Sequence, residues 1–150
     1  MADLLENLRN ENEPDRLLRL TLEFFGAETG TIHTLEADGL LHLRALAGNI
    51  PAPVLEAVRV IPVGKGLAGL AVERSEPVTV CNLQTDTSGT AKPAARTTGV
   101  QGSICVPMMV DGKAVGALGI GTYRERNFAE EEVALLLQAG REMGKKLWNS

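Results

Sequence analysis

The apolar positions of the chain change period several times, and each change marks an element. Leucines at 4, 5 and 8 predict a short helix over 1–12, and Pro14 can open a second helix in its first turn, where a missing N–H costs nothing. This second helix is expected to run to about Glu28. Its Leu17, Leu18, Leu20, Leu22, Phe24 and Phe25 spread around much of the circumference, so more than one side should be covered. The period then drops to two. GTIHTL and LLHLRALA alternate in part around Ala37-Asp38-Gly39, which predicts a hairpin with His33 and His42 on neighbouring strands. PAPVLEAV reads as a short helix opened by Pro51 or Pro53, RVIPV as a short strand, GLAGLAVERSE as a helix stopped by Pro77, and VTVCNL as a further strand. SICVPMM and KAVGALGIGTY, joined by Asp111-Gly112, give the clearest hairpin. A last helix covers EEEVALLLQAGREMGKKL, with Asn127 expected as its cap, Glu130 at the N3 position of a capping box, and Lys145 and Lys146 near the negative end of its dipole.

Between these elements, residues 84–102 are rich in Thr, Ser, Gly, Ala and Pro, with one helical turn at PAAR. A loop of that length inside a compact domain usually carries function. Helices at both ends around about six short strands, mostly in hairpins, predict an α+β fold built on a central antiparallel sheet. The chain of 150 residues has the size of one domain, 1–150, with residues 1–13 as an N-terminal helical extension.

Charge and composition narrow the function classes. Fifteen Lys and Arg stand against 19 Asp and Glu, a net charge of −4, and phosphate neutralisation needs a basic excess instead. With three Phe, one Tyr and one Trp there is little to stack on exposed bases. Neither nucleic acid nor membrane is therefore an expected partner, since no apolar run approaches the roughly 20 residues of a span. The acidic start MADLLENLRNENEP lacks the features of a signal peptide, so a cytoplasmic location is expected. Cys81 and Cys105 are too few for a disulfide scaffold and have no zinc-ligand spacing, so they are read as free thiols with no metal. His33 and His42 lack further His or Cys partners and are read as sheet-face side chains. Neither histidine neighbours a serine in a nucleophile elbow, and the acids at 130–132 suit the first turn of a helix.

Gly64-Lys65-Gly66-Leu67-Ala68-Gly69 matches Gly-x-Gly-x-x-Gly, with Asp86 22 residues beyond Gly64. The short helix that follows, Pro62 in the preceding strand and the downstream hairpins all argue against a dinucleotide site. Its glycines are expected to serve a tight turn and close helix-to-sheet packing.

The series IPVGKGLAGLAVERSEPVTVCNL, then SICVPMMVDGKAVGALGIGT with Val106-Pro107 and an Asp-Gly turn, then NFAEEEVALLLQAGREMG resembles a GAF domain, over Leu17 to Leu147. The resemblance implies a GAF/PAS-like fold and a sensory, dimerising module of signal transduction that holds a small ligand between the sheet and the loop segment. Neither the Asn-Lys-x-Phe-x-Asp-Glu signature of the cyclic-nucleotide members nor the Cys-His pair of phytochromes is present. The alternative within the family is the free methionine-(R)-sulfoxide reductases, a redox branch; where their first cysteine falls, this chain has Ala68. A thiol mechanism needs an activated thiolate, and only Cys81, with Lys92 and Arg96 nearby, is placed for that. The expected function is thus non-enzymatic, with no catalytic residues, a cofactor that the chain does not specify, and an output passing through a separate signalling protein.

Concave sites set a few polar groups in apolar walls. The candidate ligand-binding residues are Thr79, Cys81, Asn82, Gln84, Asp86, Arg96, Thr97, Thr98 and Ser103, with Arg96 suited to an anion because a guanidinium clamps a carboxylate or phosphate through two hydrogen bonds. A homodimer through the terminal helices is also expected. Val133, Leu136, Leu137, Gly140, Met143, Gly144 and Leu147 form an apolar stripe whose glycines would admit a second copy's helix.

Overall fold

The computed structural model describes residues 3–80 and 99–148. The elements run α1 (Leu4–Arg9), α2 (Pro14–Phe25), β1 (Thr29–Leu35), β2 (Leu40–Ala47), α3 (Ala52–Val58), β3 (Val60–Pro62), α4 (Gly66–Arg74), β4 (Val78–Val80), β5 (Gly102–Val110), β6 (Lys113–Thr122) and α5 (Glu130–Leu147). The six strands form one sheet in the order β3-β2-β1-β6-β5-β4, antiparallel throughout. The α+β architecture read from the pattern is the one found.

Strand alternation gives this sheet two apolar faces. Ile32 of β1, Leu118 and Ile120 of β6, and Ile104, Val106 and Met108 of β5 point to a core closed by Leu4 and Leu8 of α1, Leu17, Leu18, Leu22 and Phe25 of α2, and Leu136, Ala139, Met143 and Leu147 of α5. The other face packs Leu41, Cys105, Ala114 and Ala117 against Ile61 of β3 and Ala68, Ala71 and Val72 of α4. Burying a full aliphatic side chain is worth about 1.5–3 kcal/mol, so the first core, with most of the large side chains, dominates stability.

Several local expectations shift. The second helix ends at Phe25 rather than near Glu28, because Gly26 takes a left-handed conformation (φ 64°) and closes it. Its apolar residues do not need cover all round: Leu17, Leu18, Thr21, Leu22 and Phe25 form one buried stripe, Leu20 is half-buried and Phe24 is left 39% exposed. The last helix is capped two residues later than expected. Ala129 occupies the N-cap, and its N–H donates to the Glu132 carboxylate at 3.0 Å, so the reach-back half of a capping box is present without the side-chain cap. Arg126 spans to Glu132 and to the Phe25 carbonyl oxygen at 2.6 Å, tying the approach to α5 to the end of α2.

The glycines of the terminal helix serve the chain's own sheet, which corrects their expected role in a dimer. A Cβ at Gly144 would stand 2.8 Å from Val110 Cγ2, and one at Gly140 3.4 Å from both Met108 Cγ and the Pro107 oxygen. The strand pairing of β1 with β2 skips Arg44 between Leu43 and Ala45. That bulge sends Arg44 to the Leu147 carbonyl oxygen at 3.1 Å, a cation on the last turn of α5.

Candidate functional site

A cavity of about 180 Å³ lies on the α3–α4 side of the sheet. Its floor is set by strand parity. Thr29, Thr31 and His33 alternate along β1, and Gly119 and Gly121 of β6 sit opposite Thr31 and Thr29 and, on the other side, opposite Cys105 and Ser103 of β5. The glycines let neighbouring side chains lean over β6: a Cβ at Gly119 would be 2.7 Å from Cys105 Sγ, and one at Gly121 2.7 Å from Thr29 Oγ1. Ile50, Val54, Ala57 and Val58 from in and around α3, Ile61 of β3, and Gly66, Leu67 and Ala68 of α4 complete the walls with Leu46 and Val100. Among the described residues no charged side chain lines this space.

The glycine-rich turn builds one section of the wall. Gly64 and Gly66 adopt φ of 91° and 66°, the Gly64 N–H donates to the Gly69 carbonyl at 2.8 Å, and a Cβ on Gly69 would stand 2.5 Å from the Pro62 oxygen. The motif therefore folds on its own helix and against β3, as tight-turn glycines do. It also delivers the first turn of α4 to the cavity, where helix N–H groups have no intrahelical acceptor.

His33 is 1% exposed. Its Nε2 donates to the Val58 carbonyl oxygen at 2.7 Å; since a carbonyl can only accept, the hydrogen sits on Nε2 and Nδ1 is left as an acceptor. Nδ1 is buried and finds no hydrogen-bond partner among the described residues. Burial holds the imidazole pKa below its usual value, against the opposing pull of the Val58 hydrogen bond, so the ring is neutral. His42 belongs to the exterior instead, its Nε2 2.7 Å from Asp38 Oδ2. The two histidines thus share a hairpin but not a site, and among the described residues no group of three or more His, Cys, Asp or Glu side chains could hold a metal ion.

Burial also pushes the Cys105 thiol up to about 12. It faces the cavity as a protonated, apolar wall group, not as a nucleophile.

Of the residues expected to bind a ligand, Ser103 lies in the wall, its hydroxyl 3.5 Å from the Ile120 carbonyl oxygen. Thr79 pairs with Ile104, whose side chain points into the α1–α2–α5 core, so it is an exposed residue on the face away from the cavity. Cys81, Asn82, Gln84, Asp86, Arg96, Thr97 and Thr98 lie outside the described residues. The polar wall groups that the sequence pattern did not single out are Thr29, Thr31 and His33. Their signal is a polar residue at every second position of one strand, in phase with Gly119 and Gly121 on its neighbour.

The family model for the GAF domain matches residues 15–145. No curated protein matches the chain in sequence. Among solved structures, the GAF domain of a phosphoenolpyruvate-protein phosphotransferase from Acinetobacter superposes with a TM-score of 0.77 at 19% identity, covering 97% of this chain and 93% of that one. The free methionine-R-sulfoxide reductase of Neisseria meningitidis, in complex with its substrate, gives 0.75 at 18% identity over 95% and 83%. The type II enzyme of Thermoplasma acidophilum gives 0.73 at 23% over 97% and 94%. With the family model matched over residues 15–145 and the fold shared with those solved structures, the chain belongs to the GAF domain family.

Proposed function

We propose that this chain is a small-molecule-binding sensory domain of cytoplasmic signal transduction, that the cavity between the sheet and α3–α4 takes its ligand, and that it is not an enzyme. The observation that carries this reading is a preformed cavity of about 180 Å³ walled by apolar side chains and a few neutral polar groups. Among the described residues such walls supply no carboxylate and no thiolate, for Cys105 is protonated and His33 is neutral with its Nε2 hydrogen committed to Val58. The candidate residues outside the described segments, Arg96 foremost, belong to the same proposal as ligand contacts. A second copy joined through the terminal helices, and a separate signalling protein receiving the output, complete it.

Native mass spectrometry of the purified protein tests the binding step. The expected result is a retained or added small molecule that raises the melting temperature and is lost in Ala68→Met, whose flexible side chain fills the cavity. The reductase reading draws on the Neisseria and Thermoplasma structures. A turnover assay with free methionine sulfoxide and a dithiol reductant separates the two: activity abolished by Cys81→Ser would replace the sensory reading with the enzymatic one.

A further inference from the structure

Resting on the two-copy part of the proposed reading, we propose that two copies of this chain pair through the outer face of α2, antiparallel about a two-fold axis level with residues 21 and 22. Leu20 of each copy then meets Phe24 of the other, and Arg19 meets Glu23. The face that α2 turns away from the sheet carries the signals. Leu17, Leu18, Thr21, Leu22 and Phe25 are buried, and helical periodicity leaves Arg19, Leu20, Glu23 and Phe24 opposite them as two neighbouring i,i+4 pairs. One pair is apolar. Phe24 is 39% exposed beside half-buried Leu20, and it shares a groove with Leu5 of α1 and Leu135 of α5. The other pair is charged and exposed, and among the described residues neither Arg19 nor Glu23 forms an ion pair. A second copy laid in reverse brings both pairs into nearly one register, an isologous contact in which each is made twice. A parallel copy would set Arg19 against Arg19 and Glu23 against Glu23.

The rest of the helical layer has the same polarity. Arg126, just ahead of α5, reaches the Phe25 carbonyl oxygen, and Lys146 near its end reaches the Arg9 carbonyl oxygen and Asn12, so α2 and α5 run in opposite directions. α2 opens with Arg16 and Arg19 and closes on Glu23, while α5 opens with Glu130 and Glu131 and closes with Arg141 and Lys145. The basic ends therefore lie together, and so do the acidic ends. Glu13, Asp15 and Glu142 offset part of the basic end, and Arg126 at the acidic end is held by Glu132. Reversing a second copy sets the basic end of one layer over the acidic end of the other. Exposed ion pairs are weak singly, so the apolar contacts supply the affinity and the charges set the direction.

Sedimentation of the full chain with exchanged charges tests this. Arg19→Glu and Glu23→Arg should each weaken the dimer about tenfold, because each turns both charged pairs into repulsions. The protein carrying both exchanges should regain the wild-type affinity. An equimolar mixture of the two single variants should form a mixed dimer, in which both pairs again join opposite charges. Both sites are exposed, so circular dichroism should show every variant folded. Wild type gives a readout that needs no variant: its dimer should be severalfold weaker at about 0.5 M salt than at about 0.05 M, since salt shortens the reach of exposed charges. A salt-indifferent wild-type dimer, single variants that pair as tightly as wild type, or a double variant no tighter than the singles would each overturn the arrangement. A monomeric wild type would remove the second copy from the proposed reading as well, and a small molecule retained by that monomer would leave the ligand-binding part standing.

Discussion

His33 in the middle of the sheet and Val58 at the end of α3 are joined by a 2.7 Å hydrogen bond from the ring Nε2 to the main-chain oxygen. The last carbonyls of a helix have no partner within it, so the ring satisfies one of them and props α3 over the cavity. The same bond fixes which ring nitrogen carries the hydrogen.

This arrangement gives stability a pH dependence with a definite sign. The folded-state pKa of His33 is lowered from 6.5 by burial, so between that lowered value and 6.5 the unfolded chain holds a proton that the folded chain does not. Stability therefore falls as pH drops below 6.5, by up to about 1.4 kcal/mol per pH unit, and is fully present above it. Urea midpoints of wild type and His33→Gln between pH 7 and 5 check this: the wild-type curve should be the steeper, and parallel curves would refute the assignment.

Cys105 should be chemically silent. At pH 8 a thiol with a pKa near 12 holds about a thousandfold less thiolate than one near the ordinary value of 9.0, before its burial is considered. In a Cys81→Ser background, iodoacetamide should leave the folded protein unmodified by intact mass and label it once urea unfolds it. Cys105→Ser should fold with a loss of about 1–3 kcal/mol from burying a hydroxyl among apolar groups.

Two glycines four residues apart in α5 should respond oppositely to alanine. At Gly144 the added methyl would meet Val110 at 2.8 Å and Val115 at 3.3 Å, an overpacking that costs about 1–3 kcal/mol. At Gly140 the nearest atoms stand at 3.4 Å, ordinary contact, and the gain in helix propensity of up to about 1 kcal/mol should prevail. Calorimetric melting of both variants decides it; a destabilised Gly140→Ala protein would mean that the helix has no room for a methyl group above β5.

Self-association through the terminal helices has to use what the core leaves over. Leu18 is 1% exposed inside the main core, so charging it would unfold the chain rather than separate a pair of copies. Phe24 is 39% exposed beside half-buried Leu20, and it lines a shallow groove with Leu5 and Leu135. Sedimentation at tens of micromolar should show a dimer for wild type and a folded monomer for Phe24→Asp. A monomeric wild type defeats the dimer.

Much of the fold was legible because its signals are local. Asp111-Gly112 takes positive φ at both residues, 52° and 78°, the turn that an Asp-Gly pair between alternating strands announces. Gly26 is a helix stop that local chemistry does announce, whereas α5 opens at Ala129, which has no capping side chain, two residues past the Asn127 that local preference favours. The site was harder to read for a different reason. Thr29, Thr31 and His33 plainly share one face of β1, but whether that face meets water or a cavity depends on α3 and α4 folding back over it from 20 to 40 residues away. Thr79 shows the converse: strand parity puts it on the side opposite Ser103 and Cys105, a relation visible only once the β4–β5 register is known.

The bulge at Arg44 gives the sheet a mechanical property. Thr34 follows His33 on β1 and faces the other way, with its hydroxyl 3.4 Å from the Arg44 guanidinium that grips the Leu147 carbonyl. One peptide unit therefore separates the side chain that props the cavity roof from the one that touches the anchor of the last helix. In structural engineering terms β1 is a party wall: adjacent residues of one strand carry the prop of the chamber on one side and a contact to the anchor of the last helix on the other.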